Sequence, residues 1–210
     1  MNAPPLARLV SLEGGEGAGK STLARALGQH LEALGERVLV TREPGGSAGG
    51  EAIRQLLVEG SHERWSPTAE LFLFAAARQD HLERVVRPAL AAGRWVLTDR
   101  FWDSTRVYQG LVGSLELAAI DDLHERWLAP FRPSLTLLLD LPAEQGLARA
   151  AHGRFEAKGP DFHERVRQGF LSLAAAEPRR FRILDATQEA ASVARDAIRA
   201  LEDHRAGLAA

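Results

Sequence analysis

The chain has 210 residues, 45% hydrophobic and 26% charged, which is enough to bury one sizeable core and ordinary for a globular domain. A formal net charge of -2 with no long basic run excludes a general nucleic-acid or membrane-surface binder, and no apolar run approaches the ~20 residues of a membrane span. The absence of cysteine excludes disulfides, thiolate metal sites and thiol nucleophiles, as expected of a cytoplasmic protein, and the seven histidines show no ligand spacing.

Short apolar runs alternate with longer stretches of helical period, which predicts an α/β chain, one domain spanning 1–210, with a parallel sheet between helices. The first strand is expected over 9–13. Directly after it comes Gly14-Gly15-Glu16-Gly17-Ala18-Gly19-Lys20-Ser21, the Walker A spacing of glycine, four residues, glycine, lysine and serine or threonine. The glycines allow torsions closed to other residues, so successive N–H groups can turn inward around phosphate oxygens, and a helix over 20–34 adds its positive end. Lys20 would bridge the outer phosphates as a compact charge, while the Ser21 hydroxyl, followed by Thr22, would complete the coordination of Mg2+. A chance match in a glycine-containing turn is the ordinary alternative. Against it stand the strand before, the helix after, and the scarcity of lysine, found only at Lys20 and Lys158.

A second strand over 37–41 leads into Thr41-Arg42-Glu43-Pro44-Gly45-Gly46, by itself merely a tight turn. Helices are expected over 51–58 and 68–91, the latter opened by Ser66 as N-cap and Pro67 at the first helical position. Within it lies Glu70-Leu71-Phe72-Leu73-Phe74-Ala75-Ala76-Ala77-Arg78. Phe74 and Arg78 are four apart, so they project from one face and can touch the same ligand. An aromatic ring is a stacking platform worth roughly 1 to 3 kcal/mol per base, and arginine, having donors only, selects a base edge that offers acceptors. On spacing alone, Phe74 fits equally well in a core stripe with Leu71, Ala75 and Ala77. The strand over 95–99 ends in Asp99-Arg100-Phe101, followed by Ser104-Thr105-Arg106-Val107-Tyr108-Gln109. Ligands collect at the carboxyl edge of such sheets, although an Asp-Arg pair is otherwise often a surface salt bridge. Strands over 135–141 and 181–184 and helices over 115–128, 142–151, 161–176 and 188–205 complete the chain, with 152–160 read as a loop.

A phosphate loop fixes a ligand class and not a function. The only asparagine is Asn2, which argues against both a guanine-specific switch and a protein kinase. From about 9 to 199, the segments quoted above resemble the bacterial thymidylate kinases. The resemblance implies a three-layer P-loop fold with a five-stranded parallel sheet ordered 2-3-1-4-5 and a lid near 150–160. It further implies transfer of the γ-phosphoryl group of ATP to dTMP, giving dTDP and ADP in dTTP synthesis, with Mg2+, by a cytoplasmic homodimer. It assigns ATP to Gly14, Gly15, Glu16, Gly17, Ala18, Gly19, Lys20, Ser21 and Thr22, and the metal to Ser21 and Asp99. It assigns dTMP to Glu16, Glu43, Pro44, Phe74, Arg78, Arg100, Ser104, Thr105, Tyr108 and Gln109, with Arg100 on the phosphate and Phe74 and Arg78 on the base. The segment Asp185-Ala186-Thr187-Gln188 looks like the loop beside the adenine. With glycine at position 17, the resemblance gives the cation facing the transferred group to the lid, as Arg154, with Arg149 on the preceding helix. Three positions depart from the family pattern: Arg106 and Val107, and Gly153 where an aspartate is usual. A kinase for another monophosphate or a deoxynucleoside remains open, as does a regulatory nucleotide-binding module that hydrolyses slowly.

Overall fold

The computed structural model of the chain describes residues 6–61, 63–128, 131–149 and 154–209, so Gly153 lies outside the described residues. Strands β1 (Leu9–Gly14), β2 (Val38–Arg42), β3 (Trp95–Asp99), β4 (Leu135–Asp140) and β5 (Phe181–Asp185) pair in parallel in the order 2-3-1-4-5, as the sequence predicts. Leu12 in the central β1 stands opposite Asp99 on one side and Leu137 on the other. Because all five strands run one way, the segments that follow β1, β2, β3 and β4 emerge at the same edge.

The helices are α1 (Lys20–Ala33), α2 (Ala48–Val58), α3 (Pro67–His81), α4 (Arg87–Ala91), α5 (Trp102–Thr105), α6 (Leu117–Leu123), α7 (Ala143–Arg149), α8 (Pro160–Ala176) and α9 (Ala190–Ala209). Successive side chains of a strand point to opposite faces, which sorts the core. Val10 and Leu12 pack with Leu27 and Leu31 of α1 and Val193 and Leu201 of α9. Leu9 turns the other way, into a cluster with Leu71, Leu82, Phe101 and Ile120, and Leu138 packs on the same side with Val166 and Phe170 of α8. Among the described residues, no helix is long and apolar enough to cross a membrane.

Local chemistry explains where the elements depart from expectation. Ser47 accepts a hydrogen bond from the Gly50 amide at 3.1 Å, so α2 begins at Ala48, earlier than the hydrophobic period alone suggests. The single helix expected over 68–91 is interrupted by a π-helical turn, Leu82–Val86, in which the Arg87 amide reaches the Leu82 carbonyl. Pro88 has no N–H to offer the Arg84 carbonyl and its ring crowds that group, which accounts for the widened turn. The short α5 and the π-helical turn Arg106–Leu111 after it were not expected, since Thr105, Val107 and Gly110 are poor helix formers. Burial of Trp102 and Val107 overrides that preference.

Candidate active site

The loop after β1 turns through Gly17, whose φ of 66° favours glycine. A β-carbon there would lie 2.0 Å from the Gly146 carbonyl oxygen, and one on Gly146 would lie 2.3 Å from the Glu16 carbonyl oxygen. Helix α7 is therefore seated backbone against backbone on the loop. Beside it is a cavity of about 370 Å³ lined by Glu16, Gly17, Gly19, Lys20, Ser21, Thr22, Asp99 and Arg100, with Arg42, Glu43 and Arg54. The Lys20 ammonium donates to the carbonyls of Gly14 (3.2 Å) and Gly15 (2.6 Å). Burial, helped by the Arg100 charge, lowers its pKa against the pull of Glu16, Asp99 and Glu13, so an arriving anion would relieve a charge held at a cost. The Ser21 hydroxyl donates to the Asp99 carboxylate, which leaves the hydroxyl oxygen's lone pairs for a cation. Among the described residues no cluster of three or more His, Asp or Glu could cage a metal. Two hard oxygen donors at the mouth of a phosphate cavity fit Mg2+, which keeps most of its coordination for water and phosphate.

A second cavity, of about 320 Å³, adjoins the first. All ten residues expected, from the resemblance, to hold the acceptor nucleotide line it: Glu16, Glu43, Pro44, Phe74, Arg78, Arg100, Ser104, Thr105, Tyr108 and Gln109. They come from the loops after β1 and β2, from α3, and from the stretch that begins at the end of β3. Arg54, Val58, Phe101, Arg154 and Phe155 complete the lining, and Glu16, Glu43, Arg54 and Arg100 face both cavities.

Arg100 joins the two halves. It has a left-handed φ of 68°, uncommon for a residue with a side chain. Its guanidinium donates to Gly14 O (3.0 Å), Ser104 Oγ (3.1 Å), Glu16 Oε1 (2.7 Å) and the Tyr108 hydroxyl (3.3 Å), and that hydroxyl donates to Glu16 Oε1 at 3.0 Å. Burial alone would raise the Glu16 pKa, but Arg100, Lys20 and the Tyr108 hydroxyl outweigh it and bring it down to about 2. Beneath Arg100 lies Glu13, fully buried, whose carboxyl accepts from the Phe101 amide (2.8 Å) and Ser104 Oγ (2.6 Å). Burial and the nearby Asp103 charge push Glu13 up to about 8 against the opposing pull of Ser104, Arg100 and the Phe101 amide. Sequence reading took Glu13 as a strand position and missed it.

Arg78 is only 3% exposed and is already matched by the protein. Its Nε donates to Glu43 Oε2 (2.6 Å), and its terminal nitrogens donate to Thr105 Oγ1 (3.1 Å) and Phe101 O (3.2 Å). One hydrogen on each terminal nitrogen is left without a protein partner among the described residues. His81 Nδ1 lies 3.0 Å from the other Glu43 oxygen. Burial would raise the pKa of Glu43, yet Arg78 and His81 together hold it below the usual carboxylate range.

The arginines expected in the lid are placed differently from each other. Arg154 is buried and lines the acceptor cavity, with its guanidinium donating to Ser61 O and Leu57 O, both at 3.0 Å, and paired with Glu70 Oε2 at 2.5 Å. Arg149 is exposed at the end of α7. Phe155 brings its ring within 6.3 Å of Phe74 and 5.9 Å of Tyr108, centroid to centroid. Neither departure at 106 and 107 lines the acceptor cavity. Arg106 pairs with Glu177 (2.6 Å) and Asp121 (3.1 Å), and Val107 is buried against α8. Arg54, whose guanidinium donates to Pro44 O at 2.8 Å, carried no sequence signal. Asp185 accepts from the Thr187 amide at 3.0 Å, which closes the turn read as the adenine loop.

This geometry agrees with what known proteins of similar sequence and structure are. The sequence profile of the family described as thymidylate kinase matches residues 12–197. The chain is 57% identical over 184 residues to the thymidylate kinase of Caulobacter vibrioides, covering 86% of this chain and 88% of that one. It is 53% identical over 196 residues to the thymidylate kinase of Dinoroseobacter shibae, covering 91% and 94%. The crystal structure of thymidylate kinase from Ehrlichia chaffeensis superposes with a TM-score of 0.74 at 28% identity, covering 92% of this chain and 97% of that chain. With the family profile matching residues 12–197 and relatives matching nearly the whole length at 50% identity or more, the chain is a member of the thymidylate kinase family.

Proposed function

We infer that this chain transfers the γ-phosphoryl group of ATP to dTMP, and that the two adjoining cavities divide donor from acceptor. The observation that carries the reading is that all ten residues assigned to dTMP line one cavity, joined to the phosphate loop through Arg100 and Glu16. Transfer is in line and depends on positioning and charge neutralisation, since the attacking phosphate oxygen is already anionic near neutral pH and needs no general base. Lys20 and the loop amides hold the ATP phosphates, Ser21 and Asp99 hold Mg2+, and Mg2+ when bound neutralises phosphoryl charge. Arg100 grips the dTMP phosphate, Phe74 stacks on the base and Arg78 donates to it. Arg149, and Arg154 once released from Glu70, supply the cation beyond Lys20. Coupled measurement of ADP release across dTMP, dUMP, UMP, CMP and AMP tests the function. The expected outcome is turnover that depends on dTMP, whereas ATP hydrolysis without any acceptor would favour a regulatory module.

The homodimer has a structural argument of its own. Trp127 and Phe72 are 72% and 58% exposed and line one groove with Leu71, Leu115 and Leu123, which supports this face as the contact between two copies. Trp127→Glu is expected to sediment as a monomer where the parent sediments as a dimer, and unchanged sedimentation would move the interface elsewhere.

A further inference from the structure

Gln109 lines the acceptor cavity, yet its amide nitrogen is tied to a carboxylate that does not. Nε2 donates to Glu70 Oε1 at 2.8 Å in the protein interior. The other oxygen of Glu70 is paired with Arg154, itself anchored on the carbonyls of Leu57 and Ser61. A carboxylate has only lone pairs to offer, so it decides which end of a neighbouring carboxamide must face it. The amino end of Gln109 is thereby consumed. Its oxygen Oε1 has no protein partner among the described residues, and neither does one hydrogen on each terminal nitrogen of Arg78, on the same cavity.

We propose that Glu70 is a positioning residue for acceptor specificity: it fixes the Gln109 carboxamide with its oxygen toward the bound base, so that the cavity selects a 4-oxopyrimidine over a 4-aminopyrimidine. The proposal rests on the acceptor site inferred above. A 4-oxopyrimidine offers an acceptor at O4 for Arg78 and a donor at N3–H for Gln109. A 4-aminopyrimidine reverses both, setting a donor against the arginine and leaving the Gln109 oxygen facing another lone pair. Sites built on buried hydrogen bonds reject ligands that reverse them far more strongly than they sense a missing methyl group. The same pattern leaves dUMP discriminated only weakly from dTMP.

The test is kcat/KM for dTMP, dUMP and dCMP, with the KM for ATP, in the intact enzyme and in Glu70→Gln, Glu70→Met and Arg154→Met. In Glu70→Gln the new amide can donate to the Gln109 oxygen and turn the carboxamide round, so the preference for dTMP over dCMP is expected to fall by about tenfold or more. Glu70→Met permits either orientation and is expected to lower the preference by less. The KM for ATP stays near the parent value in both. Arg154→Met leaves the Glu70–Gln109 bond in place, so it slows both acceptors alike and keeps the preference within about twofold. An unchanged preference in Glu70→Gln, or an equal fall in Arg154→Met, overturns the proposal; if Glu70→Gln does not fold, an unchanged preference in Glu70→Met does so. A parent enzyme with no dTMP-dependent ADP release would instead overturn the acceptor site itself.

Discussion

The two cavities share four side chains but are built on different principles. The phosphate cavity comes largely from one stretch of nine residues, 14–22, whose backbone and single ammonium, held by carbonyls, are proposed to meet the ATP phosphates. The acceptor cavity is assembled from the loops after β1 and β2, α2, α3, the segment after β3, and Arg154 and Phe155 beyond α7. Three of its four guanidinium groups are answered by protein carboxylates in advance, Arg78 by Glu43, Arg100 by Glu16 and Arg154 by Glu70, and the fourth, Arg54, by the Pro44 carbonyl. A ligand feature common to many proteins, the polyphosphate, can be met by local backbone geometry. A particular base needs side chains from distant positions, and the buried charges that hold them depend on one another for stability.

That contrast can be tested where it is sharpest. Lys20→Ala is expected to cut turnover by about 100- to 1,000-fold or more while the melting temperature without ligand does not fall, because burial already disfavours the charged lysine. A collapse in melting temperature would mean that the phosphate cavity is not separable from the core. Arg78→Ala should lose both function and stability. Beyond weakening dTMP use far more than ATP use, it leaves Glu43 buried beside His81 alone, at a cost of about 3 kcal/mol in urea unfolding. The Glu43 pKa is lowered in the fold, so its pairing stabilises above the unfolded pKa and is lost as pH falls through the folded value. The acid limb of stability below about pH 4.5 should therefore be shallower in Arg78→Ala. Phe74→Ala, at a half-buried position, should weaken dTMP use with much less effect on stability. Equal losses for ATP and dTMP in these variants would erase the distinction between the cavities.

Further down the scale, Arg154→Ala and Arg149→Ala are each expected to lower turnover by about 10- to 1,000-fold with dTMP binding nearly unchanged. Turnover within about twofold of the parent in both would remove the lid arginines from the chemistry. The smallest expected effect on turnover belongs to Glu13, whose readout is stability. Its pKa is raised to about 8, chiefly by burial, so the protonated form stabilises the fold and that stability is lost as pH rises from the unfolded value through 8. Between about pH 5 and 8 the loss approaches, at most, ~1.4 kcal/mol per pH unit. Glu13→Gln should flatten the melting temperature over this range by up to about ten degrees, and a slope equal to the parent's would assign the titration to another group.

The alternation of strands and helices and the phosphate loop were legible in the sequence through a period and a glycine spacing, while strand order and the residues that meet in the acceptor cavity came through the resemblance of recurring segments. Residues that act through others were not. Glu13 looks like one more strand position, Glu70 like one more polar residue on α3, and Arg54 has nothing in its neighbours to single it out. Their roles follow from contacts across 39 residues for Glu70 with Gln109, and 88 for Glu13 with the Phe101 amide. The π-helical turn Leu82–Val86 escaped for a related reason, since a hydrophobic period does not register which carbonyl the missing amide of Pro88 leaves unmatched.

The contact of Gly17 with Gly146 sets a condition on how this chain can change. The crowding at each position is backbone on backbone, with no side chain that could step aside to admit a β-carbon. A mutational path that puts a cationic side chain into the phosphate loop at position 17 must therefore first move the start of α7, and with it the helix that carries Arg149. Loop and helix are in this sense a single heritable unit, since no exchange of the codon at 146 removes the backbone oxygen that position 17 meets.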